Sequence, residues 1–441
     1  MSLERTSQVR WFLVFWLFVL SAVAFLDRVN ISIAGSSIAT EYGLSNVHLG
    51  WVFSSFLIGY ALFQTPGGWL ADKLGSRRVL SVAVLWWGVF TALTAALPAG
   101  LAHALLFFIS IRFLLGAGEA VIYPASNQFV SRWIPSHERG IANGLIFAGV
   151  GVGAGFTPPL ITYCMIRYGW RSSFWVCALI GVLAGCVWYL SARDTPELHP
   201  GVSVSEVAKI HAGLTANADQ SSKAFVPWRS ILSSQSVWAV TLSYFCYGYV
   251  AWIFFSWFYI YLAKVRGLNL KASAFYAMLP FLAMAVCCPL GGLMIDRLTN
   301  WYGKRFGRCA LAALSIALAG AFLVFGSKVA SARLASVVLS GGAGALYLSQ
   351  SSFWSVTADI GGASCGSVSG LMNMGGQMGG AVTASLTPWI AARYGWTASF
   401  LTAAVLCVVG ALSWLLVDPE RKLALAGESF RADENTWVRK A

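Results

Sequence analysis

Twelve apolar runs, each about 20 residues long and therefore able to cross a bilayer, constrain this chain of 441 residues more than any other feature. They lie near 11–35, 48–70, 79–98, 101–124, 142–165 and 172–191, then 236–262, 273–294, 307–326, 332–355, 366–390 and 397–417. The fold class they dictate is all-α and integral to the membrane. Composition agrees: 58% of residues are hydrophobic and 11% charged, where a soluble domain has nearer 25% charged. The first run follows Arg5 and Arg10 as a signal peptide would. It continues through Asp27 and Arg28 with no A-x-A site, so it counts as the first span.

The runs fall into two sets of six. Residues 1–192 form an N-terminal six-helix bundle and 236–418 a C-terminal one; the polar segment 193–235 links them, and 419–441 is a tail. Within the linker, Ser203 and Glu206 have capping-box spacing, which points to a short surface helix. The halves repeat. Tyr168-Gly169-Trp170 with Ser173-Phe174 recurs 226 positions later as Tyr394-Gly395-Trp396 with Ser399-Phe400, and Gly68 with Asp72 recurs 224 positions later as Gly292 with Asp296. Placing both termini in the cytoplasm puts 20 Lys and Arg on that side, eight on the other, and Arg28 and Arg112 inside the membrane, as the positive-inside rule requires.

The net charge of +13 is thus a topology signal carried by short loops, and no nucleic-acid partner is expected. The nine cysteines lie in or beside apolar runs without CxxC or mixed Cys/His clusters, so they read as packing residues and no metal or other cofactor is expected. No nucleophile–base pair or nucleotide-binding loop is present, which argues against an enzyme. The remaining ionisable residues read as solvated loops.

The charges inside the membrane carry the chemistry. Arg112 and Glu119 are seven residues apart in Arg112–Pro124, hence on one helical face with Gly116 and Tyr123. An ionised group at mid-bilayer costs about 2.5 to 3.5 kcal/mol, so each needs a partner. Asp27 and Arg28 in the first span supply them. Being adjacent, they diverge by about 100°, and Arg28 shares a small polar face with Ser21, Ser32 and Gly35 while Asp27 has the drier company of Val23 and Asn30. The set of two acids and two bases is formally neutral. Protonating one acid makes it positive and an incoming carboxylate restores neutrality, so proton and anion favour each other's binding, the energetic condition for symport.

Gly68-Trp69-Leu70-Ala71-Asp72-Lys73-Leu74-Gly75-Ser76-Arg77-Arg78 matches the GxxxDxxGxRR loop signature of the major facilitator superfamily. Glycine permits the turn at Gly75, Asp72 can accept from amides at a helix N-terminus, and Arg77 and Arg78 hold the loop at the cytoplasmic face. These residues read as topology and gating without substrate contact. Leu26–Asn30, Arg112 with Gly116–Ala120, Trp133–Pro135 with Glu138–Gly140, Pro196–Pro200, and Trp257 with Tyr261-Leu262 together resemble the anion:cation symporter branch. That branch holds bacterial sugar-acid, hexuronate and phthalate importers and the sialin-like organic anion transporters.

The resemblance implies the major facilitator fold, proton-binding roles for Asp27 and Glu119, and coupling and anion-recognition roles for Arg28 and Arg112. It also implies substrate contacts at Tyr60, Ser351, Ser352, Trp354 and Asn373, with Gln350, Gln377, Tyr123 and Tyr247 as weaker candidates. Phe25 stands where several sugar-acid importers carry tyrosine, and 148–155 offers glycines where a polar side chain would meet sugar hydroxyls. Both disfavour a galactonate-like substrate, and Trp252, Phe255 and Trp257 suit a less hydroxylated or aromatic acid. The expectation is a monomeric, multi-pass transporter of a bacterial-type inner membrane, importing a small organic anion with protons, sodium being the other candidate ion. An exchanger or efflux carrier on the same scaffold, and an anion-sensing receptor, are the alternatives.

Overall fold

The computed structural model describes residues 7–214 and 226–423, and every regular element among them is helical. In order these are α1 (Val9–Tyr42), α2 (Asn46–Leu74), α3 (Ser76–Ala96), α4 (Ala104–Glu119), α5 (Ile122–Trp133), α6 (Arg139–Tyr168), α7 (Trp170–Ser191), α8 (Val204–Gly213), α9 (Trp228–Leu232), α10 (Gln235–Ser256), α11 (Phe258–Ile260), α12 (Leu270–Lys304), α13 (Leu311–Lys328), α14 (Ala332–Leu348), α15 (Gln350–Gly361) and α16 (Cys365–Ser413). Linker residues 215–225 and the tail from 424 onward lie outside the described residues.

Eight stretches among the described residues are long and apolar enough to cross a membrane. Two exceed one crossing: Phe275–Lys328 runs for 54 residues and Ala332–Leu416 for 85. Glycines break them. Gly303 (φ 83°) bends the end of α12, and Gly395 (φ 83°, ψ 163°) divides α16. Gly169, between α6 and α7, has the same conformation (φ 81°, ψ 165°). The Tyr-Gly-Trp repeat of the sequence is therefore one turn built twice, at a backbone angle only glycine adopts without strain.

The charged run Arg112–Pro124 is not one helix. α4 ends at Glu119 and α5 starts at Ile122. Pro124 has no N–H to give to the carbonyl of Ala120, and its ring crowds that carbonyl, so the helix breaks one turn ahead of it.

The two halves meet along α2 against α16 and α6 against α12, and both seams are closed by glycine pairs. A Cβ on Gly68 would lie 1.9 Å from the carbonyl oxygen of Gly366, and one on Gly292 2.2 Å from that of Gly140. Beside each pair a carboxylate from one half caps a helix of the other. Asp72 accepts from the amides of Gly366 (2.8 Å) and Ser367 (2.7 Å) and from Ser367 Oγ (2.6 Å). Asp296 accepts from the amides of Gly140 (2.9 Å) and Ile141 (2.8 Å). Helix N-termini favour negative charge, so both contacts are well matched.

Several ionisable residues taken as solvated loops are in fact buried: Arg10, Arg139, Glu206, Arg308 and Asp359. Asp359 of α15 receives Arg139 of the first half (2.9 Å) together with Arg308 (2.6 Å) and Lys304 (3.4 Å) of the second. The Ser203 cap of α8 forms as its spacing indicates, accepting from the Glu206 amide at 3.3 Å. The Glu206 carboxylate instead accepts from the amides of Val9 (3.2 Å) and Arg10 (3.3 Å) at the start of α1, and from the Arg10 guanidinium (3.0 Å). The linker helix is thereby fastened to the first half. Arg77 and Gly75 continue this face: the Arg77 amide donates to Asp194 (2.9 Å) and its guanidinium lies over Tyr189, while Arg78 is exposed.

Candidate functional site

Between the halves lies a cavity of roughly 370 Å³, extending from the middle of the molecule away from the linker face to exposed Ser32 and Ser256. Among the described residues, the charged side chains that line it are Arg28 and Arg112. Their settings differ. Arg28 Nε donates to Glu119 Oε2 at 2.7 Å, and its guanidinium lies 4.1 Å from the Tyr60 ring, 4.8 Å from Phe25 and 5.5 Å from Phe56. The Arg112 guanidinium lies 4.8 Å from the Phe56 ring and forms no ion pair among the described residues. Both keep a buried N–H without a hydrogen-bond partner, Arg28 at Nη2 and Arg112 at Nε.

Arg112, Glu119 and Tyr123 do converge as their spacing indicates, although a helix break intervenes. Gly116, on the same face, lets α4 close on the backbone of α2 at Phe56. Glu119 is fully buried and does not line the cavity; it stands behind Arg28, with Oε1 unpartnered. Tyr123 does line it, with its hydroxyl 3.1 Å from Ser21 Oγ and its ring stacked on Phe147 at 4.8 Å.

Asp27 points elsewhere. It is absent from the cavity lining and buried inside the first bundle, beside Thr91 of α3 and Cys177 of α7 and within electrostatic reach of Glu119 and Arg112, and it forms no ion pair among the described residues. Neither of its oxygens has a hydrogen-bond partner. The divergence of about 100° between neighbours lets Arg28 line the cavity while Asp27 does not.

Tyr60 and Asn373 line the cavity, whereas Ser351, Ser352 and Trp354 do not. Trp354 is one layer behind, 5.1 Å from Phe147 and 6.2 Å from Tyr244. Ser351 donates to the carbonyl of Cys288 at 3.4 Å, and Ser352 Oγ is buried without a partner. Gly68, Asp72, Gly75, Arg77 and Arg78 are not among the residues that line the cavity. Tyr247, Gln350 and Gln377 reach the cavity. So do Tyr244 and Tyr347, which sequence reasoning passed over. A signal existed for the first: Tyr244, Tyr247, Gly248, Ala251 and Phe255 form an i, i+3, i+4 stripe along α10. The glycines near 150 are packing residues: Gly149 and Gly153 press on α1 at Phe18 and Ala22, and Gly151 on α12 at Phe281.

A family model for the Major Facilitator Superfamily matches residues 17–383 and 300–436. A probable sulfoacetate transporter of Cupriavidus necator is 34% identical over 401 residues, covering 90% of this chain and 91% of the relative. A probable galactarate/D-glucarate transporter of Bacillus subtilis is 30% identical over 460 residues, covering 98% and 97%. The solved structure of a proton:xylose symporter superposes with a TM-score of 0.75 over 95% of this chain and 98% of that one, at 17% identity, which speaks for the fold alone.

Proposed function

The chain belongs to the major facilitator superfamily, and from that premise we propose that it is a secondary transporter that imports a small organic anion together with protons by alternating access. It is a multi-pass membrane protein and not an enzyme. On our reading twelve spans cross the bilayer: the 54-residue stretch supplies two, the 85-residue stretch, broken also at Gly362, supplies three, and α2 joins the remaining single spans. The linker face is assigned to the cytoplasm on the distribution of Lys and Arg. The halves are then 1–192 and 236–418, joined by 193–235, with the tail 419–441 also cytoplasmic, in a bacterial-type plasma membrane.

The observation that carries the reading is the unequal state of the two arginines. Arg112 faces the cavity with no acid paired to it among the described residues, and the acid paired to Arg28 stands outside the lining. A cavity with that balance attracts an anion. Protonation of Glu119 would free Arg28 to join Arg112 on the incoming carboxylate, so proton and anion each improve the site for the other. Asp27, unpaired in the drier interior, is the second proton-binding candidate. Tyr60 and Asn373 would border the bound anion, with Ser351, Ser352 and Trp354 supporting the wall. With the linker face closed and the cavity reaching the other side, we read the arrangement as outward-facing.

The test is uptake into proteoliposomes under an inward proton gradient, using a panel of labelled organic acids. Concentrative uptake of at least one, abolished by an uncoupler, is the expected result. Uptake unchanged at zero gradient and driven by internal anion would replace symport with exchange. Binding without any transport would make the protein a receptor. Repeating the assay with sodium in place of the proton gradient identifies the coupling ion.

A further inference from the structure

The two walls of the cavity are chemically unlike. Both charged side chains, Arg28 and Arg112, come from the first half, and the wall from the second half is neutral. Eleven of the 26 lining residues are aromatic. On α10, Tyr244 and Tyr247 stack at 5.1 Å with an interplanar angle of 5°. Phe255 lies 6.0 Å from Phe25 across the gap between halves, 5.5 Å from Trp252 and 4.8 Å from Phe281. Phe25 itself carries Arg28 on its face. Aromatic side chains thus line the cavity from the guanidinium to the opposite wall.

Two amide donors of that opposite wall are committed to the protein. The amide donor of Gln350 goes to the Tyr244 hydroxyl at 3.1 Å and that of Asn373 to Gln64 at 2.8 Å. α6 offers Phe147 and Val150, its glycines being pressed on neighbouring backbone. A polyhydroxylated body would set some of its hydroxyls against aromatic faces on leaving water, which a desolvated site penalises. A second anionic group at the far end of an extended cargo would meet no cation there.

We propose that the cargo of this transporter is a monoanionic acid with a flat aromatic body, its single acid group on Arg112 and Arg28 and its ring held against Tyr247 and Phe255. This rests on the transport reading above and narrows it to the arylcarboxylate class. Ring faces and edges on the α10 wall orient the body, and the arginines fix the acid end. The hydroxyls of Tyr247 and Tyr347 accommodate one polar ring substituent.

The experiment uses the full-length protein in proteoliposomes with an inward proton gradient, and compares benzoate and phenylacetate with D-galactonate, galactarate and sulfoacetate. The aryl acids are expected to be accumulated and to compete about tenfold or more better than the others. Phe255→Leu and Tyr247→Leu should each weaken aryl-acid competition about tenfold while leaving that of propionate, an acid without a ring, unchanged. Preference for galactonate, galactarate or sulfoacetate would overturn the aryl assignment and leave organic anion transport standing. Equal losses for phenylacetate and propionate in both variants would also overturn it, since the wall would then act on the acid group or the fold. Failure to accumulate any acid would overturn the transport reading itself, and this narrowing with it.

Discussion

Arg28 and Arg112 carry the same charge in different circumstances, and the difference decides what each substitution should do. Arg112 has a buried N–H without a partner and no ion pair among the described residues, so its free energy of interaction is left for cargo. Arg112→Ala is expected to weaken anion competition by about 10- to 100-fold, the worth of a charge-assisted hydrogen bond in a dry site, with counterflow assays as the measurement. Glu119 is bound to Arg28 at 2.7 Å and withdrawn from the cavity. Glu119→Gln removes the titrating group but keeps the side-chain shape, so exchange of labelled for unlabelled anion should persist while proton-driven accumulation is lost. Full accumulation in that variant would take Glu119 out of the coupling role. These charges were legible in the sequence because an intramembrane charge is costly and therefore conspicuous. That Glu119 pairs with Arg28 while Asp27 pairs with neither arginine was not, because adjacency on a helix gives the angle between two side chains and leaves open which partner each meets.

At the scale of elements, the glycine seams hold the halves in register. An added methyl on Gly68 would fall 1.9 Å from a backbone oxygen of the opposite half, an atom that no rotamer change can move. Gly68→Ala is therefore expected to part α2 from α16 and favour opening at the linker face. Cys365, buried at that face, reports the change: its alkylation by a membrane-impermeant maleimide in inside-out vesicles should rise well above wild type, read by peptide mass mapping. At the other end of α1, Glu41 is bonded to Arg171 at 2.7 Å and to the Trp170 indole at 2.8 Å. The hydrogen bond from Arg171 holds its carboxyl below the ordinary glutamate value. A depressed acid contributes stability above its unfolded pKa and loses it as pH falls through the folded one. Glu41→Gln should thus lower the melting temperature at neutral pH, and the gap from wild type should close as acidification passes below the ordinary glutamate value, about 4.3. Element boundaries were the readable part of the sequence wherever Gly or Pro set them, as at Gly169 and Gly395. The buried cluster on Asp359 was unreadable, because its members come from three separate segments and each taken alone looks like a loop charge.

For the whole molecule, the repeated Gly-x-x-x-Asp segments explain how two homologous halves can act as one. Each half lends a carboxylate to a helix start in the other, so the duplication visible in the sequence is also an exchange of caps between its products. The sequence suggested that Asp72 would meet amides at a helix N-terminus; that the helix belongs to the opposite half required the structure. The face these caps close is held by hydrogen bonds and ion pairs, with an apolar layer behind them where Phe147 packs on Trp354. Five hydrogen bonds reach Asp72 and Asp296 across the seam. Water can replace each of them as the halves separate, so opening on this side is in effect a hydration reaction. Its rate should follow the activity of water at that face. With osmolality matched across the vesicle membrane, a large polyethylene glycol at the linker face is expected to slow turnover, and the same polymer on the cavity side to leave it nearly unchanged.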